Sequence, residues 1–102
     1  MCARSTIGRL NRTGMEACCN GRLEDAEATL LSALRQAQRE GVRCFEAKIS
    51  NNLGIVYELK GCPGEARECY LKALHIFREK GIIAHPASLR VVDRLARLSG
   101  GV

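Results

Sequence analysis

Glycines at positions 21, 41, 61 and 81 stand twenty residues apart. No other feature of the chain narrows its fold more. Glycine enters the left-handed backbone region without steric penalty, and helices very commonly end on it. A helix-ending glycine every twenty residues leaves room for one helix of roughly four to five turns between each pair. The Gly100-Gly101 pair continues the series. The spacing therefore predicts five helices and short turns.

The apolar pattern agrees, because each segment carries apolar residues three and four apart, the period of a helix face. Residues 23–39 place Ala26, Leu30, Ala33, Leu34 and Ala37 on one stripe. Residues 63–80 repeat it with Ala66, Tyr70, Ala73, Leu74 and Phe77, and Pro63 suits a first helical turn. Glu68 and Lys72 are spaced for an i,i+4 ion pair. Residues 45–60 present Ile49, Leu53, Val56 and Tyr57; residues 86–100 present Leu89, Val92, Leu95 and Ala96. Residues 6–19 carry Ile7, Leu10, Ala17 and Cys18, interrupted by Gly8, Thr13 and Gly14, which are poor helix formers.

The segments are also related to one another. Gly14 and Gly54, Gly21 and Gly61, Ala26 and Ala66, and Ala33 and Ala73 are each 40 residues apart. A period of this length marks stacked helix pairs, none of which can bury its stripe alone. Leu53, Gly54 and Tyr57, then Gly61, Ala66, Tyr70 and Ala73, resemble a tetratricopeptide repeat, whose pattern runs L-G-x2-Y and then A-x3-F. Gly14, Gly21, Ala26 and Ala33 carry the same register in a first, degenerate repeat, where Thr13 and Ala17 replace the expected Leu and Tyr. That loss of bulk predicts a looser first pair. His85-Pro86 and Leu95-Ala96 resemble the start of a third unit, in the longer form of about 42 residues seen in kinesin light chain-like proteins.

The resemblance implies one all-α domain over residues 1–102, a short right-handed superhelix of about two and a half helix-turn-helix repeats. The first repeat spans residues 6–40, the second 45–80, and a capping helix 86–99. Small Gly54 and Ala66 are expected where the two helices of a repeat approach, with Tyr57 and Tyr70 beside them and Ala73 small where the next unit packs. Arg90, Asp93, Arg94 and Arg97 are expected on a polar outer face of the cap.

The family implies protein binding, with no catalysis and no cofactor or metal. By register its concave groove would include Asn11, Arg12, Met15, Cys18, Cys19, Lys48, Asn51, Asn52, Ile55, Glu58, Leu59, Arg90, Arg94 and Arg97. One branch of the family grips a carboxylate terminus with Lys, Asn and Arg. Asn52, Arg90 and Arg94 match that register, but Asn11 and Met15 stand where Lys and Asn would, so a general acidic or polar peptide fits better. Arginine and asparagine donate well to carboxylates and to extended backbone.

Composition narrows the function classes. Sixteen basic against eleven acidic residues give a net charge of +5. An RNA-binding helical repeat is the alternative, but aromatic residues, which stack bases, are only 4%. A self-assembling scaffold, joined through a terminal face, is another. No phosphate loop, nucleophile motif or metal-ligand spacing is present, which predicts no enzyme. Cysteines 2, 18, 19, 44, 62 and 69 include no C-x-x-C pair and read as reduced thiols of a cytoplasmic protein. His75 and His85 have no carboxylate or thiol partner evident at ligand spacing. No stretch has the apolar length of a membrane span.

Overall fold

The computed structural model describes residues 3–81 and 86–100. Five helices follow in order: α1 (Ala3–Cys19), α2 (Leu23–Glu40), α3 (Arg43–Leu59), α4 (Pro63–Glu79) and α5 (Pro86–Gly100). His85, proposed as the start of the last segment, Cys2 and Gly101 lie outside the described residues.

The turns explain the period. Gly21, Gly41, Gly61 and Gly81 all have φ between +69° and +79°. At the first three, the glycine N–H and the next residue's N–H both turn back onto the helix. Val42 N–H donates to the Ala37 carbonyl at 2.9 Å and Gly41 N–H to the Gln38 carbonyl at 3.2 Å. Arg22 and Gly21, and Cys62 and Gly61, repeat the arrangement. This satisfies carbonyls that a helix end would otherwise leave open. The next helix starts at once: the carbonyls of Arg22, Val42 and Cys62 accept from Ala26, Glu46 and Ala66. Glu24, Asp25, Glu46 and Glu65 stand in these first turns, where negative charge is favoured.

Within each repeat, the second helix presses a side chain into a gap left by glycine. The ring of Tyr70 on α4 lies over Gly54 on α3, and Leu30 on α2 lies over Gly14 on α1. Both pairs are sixteen residues apart in sequence and 40 residues apart from each other. Gly14 is therefore a packing site inside α1, not a breaker, and α1 starts three residues earlier than the sequence pattern predicts.

The expected looseness of the first pair is not found: α1 packs on α2 as extensively as α3 on α4. The reason is directional. Leu53 is buried in a cluster with Leu30, Ala33 and Ala37 of α2, and Tyr57 reaches back to α2 as well. Thr13, the equivalent of Leu53, is exposed. The bulk that Thr13 lacks relative to Leu53 is on the exposed side of α1, while Ala17 is buried in the first cluster.

Two apolar clusters result. One joins Ile7, Ala17, Cys18, Ala26, Leu30, Ala33, Ala37, Ile49, Leu53 and Val56; the other joins Ala47, Ala66, Tyr70, Ala73, Leu74, Ile76, Phe77 and Val91. Helix α3 supplies both, and half-buried Ile55 and Tyr57 touch each. Polar ties add to the seam. Tyr57 Oη donates to Glu27 at 2.8 Å, and Lys60 bonds the same carboxylate and reaches Glu24 at 2.9 Å. These partners hold the Glu27 carboxyl below the usual range. Lys72 does not pair with Glu68. It lies 3.9 Å from the buried Glu46, which Arg43 also holds at 3.1 Å.

Helix α5 departs furthest from the sequence reading. Ser88 and Val91 are fully buried, and Ala87, Leu95 and Leu98 pack beside them against α4. Of the expected stripe only Leu95 faces inward; Leu89, Val92 and Ala96 are exposed. The helix carries two apolar stripes, and the one that meets α4 runs through 88, 91, 95 and 98. The outward side is consequently mixed: Leu89, Val92 and Ala96 are exposed alongside Arg90, Asp93 and Arg97, while Arg94 is half-buried and bonded to Asn51.

Candidate functional site

The register places α1, α3 and α5 side by side as the first helices of their units, so side chains one turn apart on each can meet. Asn52 Nδ2 donates to Asn11 Oδ1 at 2.9 Å, linking α3 to α1. Arg94 Nη1 donates to Asn51 Oδ1 at 3.2 Å, linking α5 to α3. Glu58 accepts from Tyr70 Oη, with Arg97 at 3.8 Å. The adjacent asparagines thus hold opposite neighbours, and a chain of amide and guanidinium groups crosses three helices.

A depression of about 300 Å³ opens beside this chain, lined by Asn11, Lys48, Asn51, Asn52, Phe77, Ala87 and Arg90. It has two cations, three amides and no carboxylate. Lys48 and Arg90 are exposed at its rim, and Phe77 supplies an apolar floor. Lys48 Nζ lies 5.4 Å from the centre of the Phe45 ring, a cation–π distance that fixes where the ammonium sits.

A larger hollow of about 490 Å³ is lined by Arg12, Met15, Glu16, Cys19 and Asn20. All five belong to one edge of α1 and its end, so the hollow has one wall. The smaller depression draws on four helices and is the better candidate, because convergent groups from different elements can enclose a ligand.

The residues proposed for the groove therefore separate. Asn11, Lys48, Asn51, Asn52 and Arg90 come together, with Arg94 bonded at the edge. Arg12, Met15 and Cys19 lie on the neighbouring edge of α1. Ile55 packs against both apolar clusters, and Leu59 is 60% exposed outside either hollow. Glu58 is engaged with Tyr70 and Arg97. Cys18 is not a groove residue. It is buried in the first cluster, since its neighbour Cys19 takes the outward position one helical step away. The sequence reading omitted Phe77 and Ala87. Phe77 belongs to a second helix, so the register of first helices could not include it, although its place at the end of the α4 stripe was visible.

His75 has the carboxylate partner that the sequence reading missed: Nε2 is 3.1 Å from Glu79, one turn on, and Glu79 also binds Arg43. The thiols differ in access. Cys19 and Cys44 are exposed, Cys18 is buried, and burial pushes the half-buried Cys69 thiol up to about 11. Against an ordinary thiol near 9, that leaves about 100-fold less thiolate. Alkylation at pH 8, followed by peptide mass mapping, should label Cys19 and Cys44 first and Cys69 at least about tenfold more slowly. Equal rates would mean that the packing around Cys69 is wrong.

Among the described residues no helix is long and apolar enough to cross a membrane. Neither a curated protein nor a solved structure matches the chain. The family profile of the tetratricopeptide repeat does match, over residues 10–79. That stretch holds the two glycine gaps with their Leu30 and Tyr70 fillers, three of the four glycine turns and all of α2, α3 and α4. With repeat geometry and profile in agreement over more than two thirds of its length, the chain belongs to the tetratricopeptide repeat family.

Proposed function

We propose that the depression between α1, α3 and α5 binds an extended acidic segment of another protein. Tetratricopeptide repeats generally mediate protein–protein interaction and are typically non-enzymatic. The observation that carries the narrower reading is the lining: Lys48 and Arg90 face a hollow with amides from two helices and no carboxylate. An acidic side chain would meet the two cations, and the amides suit peptide backbone. Asn51 and Asn52 are steadied by Arg94 and Asn11, which lowers the entropy lost on binding. The domain organisation supports this reading. Repeat one supplies Asn11, repeat two Lys48, Asn51 and Asn52, and the last helix Arg90.

The test uses a fluorescent decapeptide alternating glutamate with leucine, and its lysine counterpart. Fluorescence anisotropy should show binding of the acidic peptide alone, weakened about tenfold or more in a Lys48→Glu, Arg90→Glu variant of unchanged helicity. Both side chains are exposed, so the variant should fold. Equal binding of the two peptides, or acidic binding unchanged by the double reversal, would remove the assignment.

A further inference from the structure

We propose that the cleft between α2 and α4 binds a small aliphatic molecule with an ammonium at one end and a carboxylate at the other.

The cleft has a volume of about 260 Å³ and lies over α3; neither α1 nor α5 borders it. Its floor is the α3 stripe Ser50, Leu53 and Tyr57. A small side chain deepens it at one end. Ser50 stands where α1, forty residues earlier, has Leu10, so the repeat plan itself asks for no hydroxyl there. Yet Ser50 is 1% exposed, and its Oγ makes no hydrogen bond. Buried hydroxyls are nearly always paired, so an unpaired one on the floor of a cleft points to a polar group of a ligand.

The two walls differ. From α2 come Leu31 and Leu34, which with Leu53 make an aliphatic lining. From α4 come Glu65, Glu68, Cys69 and Lys72, at spacings of three and four that put them on one side of the helix. Their charges are sorted along the cleft. Lys72 lies at the Ser50 end, since its Nζ is 3.9 Å from Glu46, one turn before Ser50. Glu65 lies at the Tyr57 end: burial and Glu27 raise the Tyr57 hydroxyl most, and the charge of Glu65 adds to them. Glu68 is one turn further in. It does not pair with Lys72, and no described residue forms an ion pair with Glu65 or Glu68. The Cys69 thiol stands between the two ends and feels both. Burial raises it most, Lys72 lowers it, and Glu68 and Glu65 raise it.

Along the axis of α4, Lys72 is about 6 Å from the level of Glu68 and about 10 Å from that of Glu65. An extended chain of about six carbons separates its end charges by about 8 Å, between these two values. Its ammonium would meet the two carboxylates and its methylenes the leucines. Its carboxylate would accept from the Lys72 ammonium and the Ser50 hydroxyl. A plain alkylamine would leave that hydroxyl unpaired, and a plain fatty anion would face two carboxylates.

The probe is ε-aminocaproate, with hexylamine and caproate as the same chain lacking one charge. Each is titrated at constant ionic strength from about 10 μM to 100 mM, because so small a ligand should bind in the millimolar range. The readout is the alkylation rate of each thiol, followed by peptide mass mapping. At saturation ε-aminocaproate should slow Cys69 about tenfold, while Cys19 and Cys44, outside the cleft, react as before. Hexylamine and caproate should need at least about tenfold higher concentration. Glu65→Gln combined with Glu68→Gln should weaken the protection by ε-aminocaproate about tenfold or more. Both side chains are exposed, so the variant should fold, and circular dichroism checks that it does. Absence of protection at Cys69, or equal slowing of all three thiols, would overturn the site. So would protection by hexylamine equal to that by ε-aminocaproate, or protection that the double variant leaves intact.

Discussion

Replacing Gly54 with alanine should destabilise the domain by about 2 kcal/mol and lower its thermal midpoint by about 10 °C. A Cβ there would meet the Tyr70 ring, Cδ1 at 2.6 Å and Cζ at 2.7 Å. The ring cannot turn away easily. Tyr70 is fully buried, and its hydroxyl is bonded to Glu58. The helices must then separate, at about 3 kcal/mol for an overpacked core, against about 1 kcal/mol gained from alanine's helix propensity. Two related changes set the scale. Gly14→Ala meets Leu30 Cγ at 2.7 Å and should cost less, because an aliphatic side chain yields more than a ring. Gly8→Ala meets nothing closer than Phe45 Cζ at 3.5 Å and should stabilise by about 0.5–1 kcal/mol. Urea unfolding of the three variants separates packing from propensity. If Gly54→Ala and Gly8→Ala are equally stable, the close approach at Tyr70 is not what holds the repeat together.

That ranking is only partly legible in the sequence. The 40-residue offset marks Gly14 and Gly54 as equivalent, and the twenty-residue spacing marks where helices end. Both are local or nearly local, because a turn and a helix face are written in adjacent residues. The stripe of α5 was misjudged for the complementary reason. Its residues 89, 92 and 96 and its residues 88, 91, 95 and 98 both fit a helical period. Only contact with α4 decides between them, and that contact belongs to another part of the chain. Cys18 and Cys19 present the same problem one residue apart. The groove shows it across three helices: periodicity placed Asn11, Asn52 and Arg90 on one side of the fold, yet could not show that Asn52 holds Asn11 while Asn51 takes Arg94.

These cross-helix bonds make the site depend on both repeats, which leads to the second large effect expected. Leu30→Ala should cost about 3 kcal/mol, a substantial share of the roughly 5–15 kcal/mol that a domain of this kind has. Leu30 is fully buried in the first cluster and fills the Gly14 gap, and the surrounding helices cannot close the void without moving. The second cluster, around Tyr70, Ala73 and Val91, does not include Leu30. In a stacked array each unit is stabilised by itself and its neighbours, so the loss should concentrate in α1 and α2. Native-state hydrogen exchange should show amides of residues 3–40 losing protection by roughly 100-fold, with α4 affected much less. Uniform loss across all five helices would mean that the two clusters unfold as one. If the first repeat opens separately, Asn11 leaves the depression while Lys48 and Arg90 stay. If the proposed acidic-peptide binding holds, affinity should then fall in step with protection of α1, because the depression takes side chains from α1, α3 and α5.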